Sequence, residues 1–155
     1  MPSKSLDDLF PQTKKKFENL LASCNAAGIK IRITCTYRSN AEQADLYAKG
    51  RTKPGTIVTK AKPGSSFHNL RRAVDVVILT PDGKVDWAWM DSPACQGLWT
   101  QFGQLARQHG LDWGGYWDTI QDKPHVEDRH CAIHNGRFAV WHFDETGECK
   151  DWADG

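Results

Sequence analysis

The chain lacks several features that would assign it to a class at once. No apolar run approaches the ~20 residues of a membrane span, so no membrane insertion is expected. The five cysteines, at 24, 35, 95, 131 and 149, form no CxxC pair, and their number is odd. The opening "MPSKSLDDLF" has no apolar signal core. Synthesis and folding in the cytoplasm with mostly reduced thiols are therefore expected. A substrate outside the cytoplasm then has to be reached by another route. Excess charge is also missing: a net charge of +1 gives no strong electrostatic case for nucleic acid. The basic runs "KKK" (14–16) and "RR" (71–72) are short and are expected on solvated faces. There is no repeat, heptad, low-complexity tract or dividing linker.

What is present fits one soluble globular domain. The 155 residues can bury a core without disulfides or metal, and 39% of them are hydrophobic. The seven tryptophans are many for this length, and most are expected in the core. Residues 12–28 show helical spacing through Phe17, Leu20, Leu21, Cys24 and Ala27, with Gly28 as the C′ residue. Residues 29–36 alternate as a half-buried strand, with Cys35 on its apolar face. Ser39 and Glu42 form a capping box, which predicts a helix over about 40–49. Residues 51–66 hold two Pro-Gly pairs and predict a long loop, of a length often tied to function. A buried strand at 73–79, a turn at 80–83, a helix at 93–109 and a strand at 137–143 complete the pattern.

Asp75 lies at the start of the apolar strand "AVDVVIL", where a bare carboxylate is costly to bury. It needs a partner: a metal ion shared with His68 on the adjoining loop, or an arginine such as Arg71 or Arg72. In "DKPHVE", His125 follows Asp122 by three residues. A regular strand puts such positions on opposite faces, and Pro124 can bend the chain so that they converge. Two histidines and one carboxylate, with a fourth position left for water, make a catalytic zinc set. A nearby carboxylate outside that set serves as general base. Glu127 points the same way as His125 in an extended segment, as a partner of that histidine or as half of a salt bridge. His109 near a helix end suits a C-terminal capping charge. His130, Cys131, His134 and Cys149 match no standard zinc spacing.

Three segments in order resemble one family: "TYRSNAEQADLYAKGRTKPGTIVT" (36–59), "SFHNLRRAVDVV" (66–77) and "WGGYWDTIQDKPHVE" (113–127). The second resembles SxHxxGxAxD, the third WGG…D-x-PH-x-E. Together they resemble the L-alanyl-D-glutamate peptidases of phage endolysins, within the D-alanyl-D-alanine metallopeptidase and hedgehog-like superfamily. The resemblance covers about residues 6–128. It implies an α+β fold: a small single domain over 1–155, a central antiparallel sheet with helices packed on it, and no separate cell-wall-binding domain. It implies Zn2+ held by His68, Asp75 and His125, with Asp122 as catalytic acid/base. Arg38 would face the substrate and stabilise the oxyanion. Ser66 would orient the ligand loop or the ligand, and Trp113 would help to wall the cleft. Arg71 stands at the family's Gly position, where strain or a salt bridge is expected.

The implied activity is hydrolysis of the L-Ala–D-Glu bond in peptidoglycan stem peptides, by a monomer that reaches the wall with a holin's help. The alternatives are a D-alanyl-D-alanine carboxypeptidase or dipeptidase of the same superfamily, and a zinc-containing binding module without catalysis. Asp122, where the carboxypeptidases more often carry Glu, favours the endopeptidase.

Overall fold

The computed structural model describes residues 1–118 and 121–129, then short strands at Ile133–His134 (β5), Arg137–Phe138 (β6), His142–Phe143 (β7) and Cys149–Asp151 (β8). Helix α1 spans Pro11–Ala26, with Pro11 in the first turn, where a missing N–H is harmless. Strand β1 covers Ile31–Cys35 and helix α2 Asn40–Ala48. The capping box of α2 is complete: Ser39 Oγ accepts from the Glu42 amide at 3.1 Å, and Glu42 Oε1 accepts from the Ser39 amide at 2.9 Å. Strand β2 (Ala73–Ile78), the short helix α3 (Trp87–Met90), helix α4 (Pro93–Gln108), β3 (Asp112–Trp113) and β4 (His125–Glu127) follow. Of the expected strand over 137–143, both ends are strand. β6 pairs with β5 and β7 with β8, while 139–141 lie outside the described residues.

β1, β2, β4 and β3 form an antiparallel sheet in that order. Its core joins Val74, Val76 and Ile78 of β2 and Val126 of β4 to Phe17 and Leu20 of α1 and Trp99, Phe102 and Ala106 of α4. Burying each large side chain contributes about 1.5–3 kcal/mol. The α+β architecture expected from the sequence is the one found.

A polar knot ties α1 to the end of β4. Asp128 is fully buried, accepts from Thr13 Oγ1 at 2.8 Å and pairs with Lys16 Nζ at 2.9 Å. Arg72 Nη1 lies 3.9 Å from the same carboxylate, and the Arg72 side chain is fully buried over the Phe10 ring. The expectation that both basic runs sit on solvated faces therefore fails at Lys16 and Arg72. A buried carboxylate needs cationic partners, and the fold draws them from runs that look solvent-directed in sequence.

Candidate metal centre

Sheet register assembles the centre. Asp75 pairs with Cys35 of β1 on one side and with His125 of β4 on the other. Directly opposed residues of antiparallel strands project from the same face, so the three side chains stand in one row. A bulge makes this possible. Ile33 opposes Val76 but Cys35 opposes Asp75, so Thr34 is the extra residue. Without it, Cys35 would stay on the face of Ile33. Cys35 is buried, as expected, but on the Asp75 face and not on the apolar one.

His68 enters from the loop before β2. Its Nε2 lies 3.2 Å from Asp75 Oδ1, and His125 Nδ1 lies 3.1 Å from the same oxygen. The opposite ring nitrogens are engaged elsewhere. His68 Nδ1 is 2.7 Å from the Thr36 carbonyl, and His125 Nε2 is 2.6 Å from Glu127 Oε1. In the neutral imidazoles that a metal requires, donation to those acceptors leaves a lone pair on each inner nitrogen, aimed toward Asp75. His68 Nε2 is buried without a hydrogen bond in good alignment. Zinc bonds of about 2.0–2.2 Å in a tetrahedron put neighbouring donors roughly 3.3 Å apart, and the separation of each imidazole nitrogen from Asp75 matches that spacing, so these residue types fit zinc on the Asp75 side. Asp75 keeps a quarter of its side chain accessible, against 3% for His68, so the cluster opens to solvent on the carboxylate side. Cys35, His68 and Asp75 also have donor atoms within 4.8 Å of one another. However, Cys35 Sγ lies 3.6 Å from His68 Nδ1, the nitrogen facing away from Asp75. It backs the histidine and does not complete the inner set.

Electrostatics match this packing. Burial pushes the His68 imidazole down, but the Asp75 carboxylate reverses this and raises its pKa to about 10. Burial pushes Asp75 up, yet the two imidazoles hold it well below the usual carboxylate range. In His125, burial is outweighed by hydrogen bonds to Asp75 and Glu127, and the shift is upward. Glu127 is buried, but hydrogen bonds from His125 and Arg129 keep its carboxyl on the low side. Asp122 goes the other way: burial raises it, and its neighbours His125, Asp75, His68 and Glu127 contribute in opposing directions.

The "WGG" segment carries Asp122. The Asp122 amide donates to the Gly114 carbonyl at 3.0 Å, and the His125 amide donates to the Asp122 carbonyl at 3.2 Å. A side chain at Gly114 would overlap the Asp122 carbonyl, so only Gly allows this approach. Trp113, expected on the cleft wall, is largely buried at 7% exposure and stacked on Trp99 at 6.4 Å, and it also lines a concavity with Tyr116 and Trp117. Its indole N–H donates to the Lys123 carbonyl at 2.7 Å and so holds the segment that bears Asp122.

Arg38 reaches the centre as expected: Nη2 is 3.8 Å from Asp75 Oδ2, and Nη1 donates to Gln43 Oε1 at 2.9 Å. Its Nε is buried and has no hydrogen-bond partner among the described residues. Ser66 Oγ accepts from the His68 amide at 3.2 Å, a local turn that orients the ligand loop. Arg71 has φ 62, a left-handed conformation that favours Gly. The side chain anchors it there: Nη1 donates to the Asp8 carbonyl at 2.9 Å, and the guanidinium stacks on Tyr37 at 3.8 Å. Both strain and an anchor occur, and the anchor includes a carbonyl and a ring. Asn69 and Gln43 were not singled out from the sequence. Asn69 Nδ2 donates to the Arg38 carbonyl at 2.8 Å, and Gln43 Nε2 to the Ala61 carbonyl at 2.8 Å, fastening the loops around the centre. Their partners lie 18 to 31 residues away, so no local signal reveals them. His109 lies at the end of α4, where its Nε2 is 2.8 Å from Ser23 Oγ. His130 and Cys131 lie outside the described residues.

Known proteins resemble this chain in sequence and in fold. Residues 59–128 match a family model of M15 peptidases described as D-alanyl-D-alanine carboxypeptidase. The peptidoglycan L-alanyl-D-glutamate endopeptidase CwlK of Bacillus subtilis (strain 168) is 38% identical over 122 residues, covering 77% of this chain and 73% of CwlK. Among solved structures, the L-Ala D-Glu endopeptidase ChiX of Serratia marcescens superposes with a TM-score of 0.52 at 20% identity, over 82% of this chain and 87% of ChiX. The vancomycin-resistance D,D-pentapeptidase VanY of a VanB-type cassette, solved in complex with Zn(II), gives 0.54 at 14% identity, over 75% and 70%. At these identities the two structures speak for the fold alone. Similarity to CwlK over most of both chains, together with the family match, shows that this chain belongs to the M15 peptidase family.

Proposed function

We propose that the chain is a zinc-dependent peptidoglycan endopeptidase that hydrolyses the L-Ala–D-Glu bond of stem peptides. The observation that carries this reading is the convergence of His68 Nε2 and His125 Nδ1 on Asp75 Oδ1, beside the half-buried Asp122, in a chain related to CwlK. His68, Asp75 and His125 would hold the ion. Zinc bound there supplies a Lewis acid that acidifies water and polarises the scissile carbonyl. Asp122, its proton affinity raised by burial, takes the proton of the attacking water and returns it to the leaving amine. Arg38, whose Nη2 stands 3.8 Å from Asp75 Oδ2, offers a guanidinium donor to the carbonyl oxygen as that atom gains charge. Glu127 holds His125 in the tautomer with Nδ1 free. The endolysin role, with holin-assisted access to the wall, belongs to this reading and is supported by the sequence resemblance.

The description of the matching family model favours a second reading, removal of a terminal D-Ala. Mass spectrometry of digested muropeptides separates the two. Amino-sugar fragments that keep only L-Ala support the endopeptidase, and loss of D-Ala alone supports the carboxypeptidase. A chelator is expected to abolish either product. Asp122→Ala should keep its zinc and lose turnover. Loss of zinc from that variant would make Asp122 a ligand and overturn its assignment as base.

A further inference from the structure

The sheet face that carries Asp75 and His125 continues past the metal centre. His125 and Glu127 share that face of β4, and Asp112 of β3 pairs with Glu127. Next to this row lies a concavity of about 300 Å3, lined in part by Arg107, Asp112, Tyr116, Trp117 and Arg129. Two guanidinium groups border it. Arg107, in the last turn of α4, sits 4.3 Å over the Tyr116 ring and forms no ion pair among the described residues. Arg129 donates through Nε to Glu127 Oε2 at 2.6 Å, and its side chain is 51% exposed. Glu127 already neutralises Arg129 and Asp112 lies on the same wall, so Arg107 is the guanidinium left to meet a single anion. The Trp117 ring lies 5.3 Å from the His125 ring and 5.9 Å from the Arg129 guanidinium carbon. The ligand imidazole and the guanidinium are thus no more than about 11 Å apart. An extended peptide advances about 3.3–3.6 Å per residue, so no more than roughly three residues bridge that gap.

We propose that this concavity is a subsite for an acidic stem-peptide residue lying within about three residues of the scissile bond. Arg107 receives its carboxylate beside the Glu127-paired Arg129, and Tyr116 and Trp117 cover its carbon chain. A planar guanidinium matches a carboxylate in shape as well as charge. The proposal rests on the peptidoglycan reading above and adds which part of the substrate the pocket selects.

The test uses synthetic stem peptides that differ only in whether the acidic residue beyond the cleaved bond is a free carboxylate or an amide. The zinc-loaded wild type and Arg107→Gln are compared. The wild type should prefer the free carboxylate, and the ratio of kcat/KM values should fall about tenfold in the variant, the scale of one partly exposed charge-assisted hydrogen bond. Arg107→Lys should recover part of that ratio. An unchanged ratio in Arg107→Gln, or equal loss on both peptides, overturns the subsite. Product masses keep the two claims apart. Cleavage at another bond with the preference still lost to Arg107→Gln retains the subsite and rejects the L-Ala–D-Glu assignment. If neither peptide is cleaved, titration of tryptophan fluorescence with the same pair gives the same ratio from binding alone, and its absence there rejects the subsite.

Discussion

Gly114→Ala is a sharp test of how Asp122 is positioned. A Cβ at residue 114 would come well inside 3.0 Å of the Asp122 carbonyl oxygen and to 3.1 Å from the Asp122 Cβ. The first obstacle is backbone, so no rotamer change relieves it. The Asp122 amide is also pinned to the Gly114 carbonyl at 3.0 Å, so the segment cannot swing away without losing that bond. Restoring normal contact needs a displacement on the order of 1 Å, and a misplacement of that size in a reacting group can lower turnover about 100-fold. Overpacking should reduce stability by about 1–3 kcal/mol, which leaves a folded protein. The metal donors are not touched. The expected result is a loss of about 100-fold in kcat on muropeptides, with zinc content unchanged by elemental analysis. Gly97→Ala is the control, because a Cβ there meets nothing within 4 Å. It should leave turnover unchanged and be neutral or slightly stabilising, as Ala is the better helix former. A folded, zinc-loaded Gly114→Ala enzyme with kcat within about threefold of wild type would refute the positioning argument.

Three other perturbations have definite expected outcomes. Glu127→Ala removes the acceptor of His125 Nε2–H and should weaken zinc binding about 10–100-fold in chelator competition; unchanged affinity would deny Glu127 that role. Arg71→Gly relieves the left-handed strain of φ 62 but loses the Asp8 bond and the Tyr37 stack, whereas Arg71→Ala loses the same contacts and keeps the strain. Urea titration should therefore rank Ala below Gly by about 1 kcal/mol, and the reverse order would reject the strain. Zinc binding should release protons, because His68, raised from 6.5 to about 10, is protonated in the metal-free protein at pH 7. Calorimetry in buffers of different ionisation enthalpy should find about one proton or more per zinc, and none would contradict the raised value. The sign for the metal-free fold follows. The His68 contribution is fully present below 6.5 and is lost as pH rises through about 10, while zinc affinity climbs over the same interval.

Much of the fold was legible because it is local. Helical spacing marked α1 and α4, and Ser39 with Glu42 marked the start of α2, since cap and periodicity involve residues a few positions apart. The apolar run at 73–78 announced β2 with one carboxylate inside it. The candidate donors were named by resemblance, and nothing local could show that they meet. Their meeting depends on register: Asp75 opposite His125, fifty residues away, and Cys35 turned to the same face by the extra Thr34. Burial of Arg72 against Asp128, with half-buried Lys16 paired to the same carboxylate, was equally hidden, because a charge pattern does not say which cations a distant carboxylate will draw in. The amino-acid sequence by itself determined the element types, the helix caps and which residues had the chemistry to act. The tertiary structure decided which ring nitrogens face Asp75, that Trp113 supports Asp122 from the core, and that Arg71 is held in a glycine conformation by Asp8 and Tyr37. Those outcomes arise from pairings across tens of residues, which local propensity does not encode.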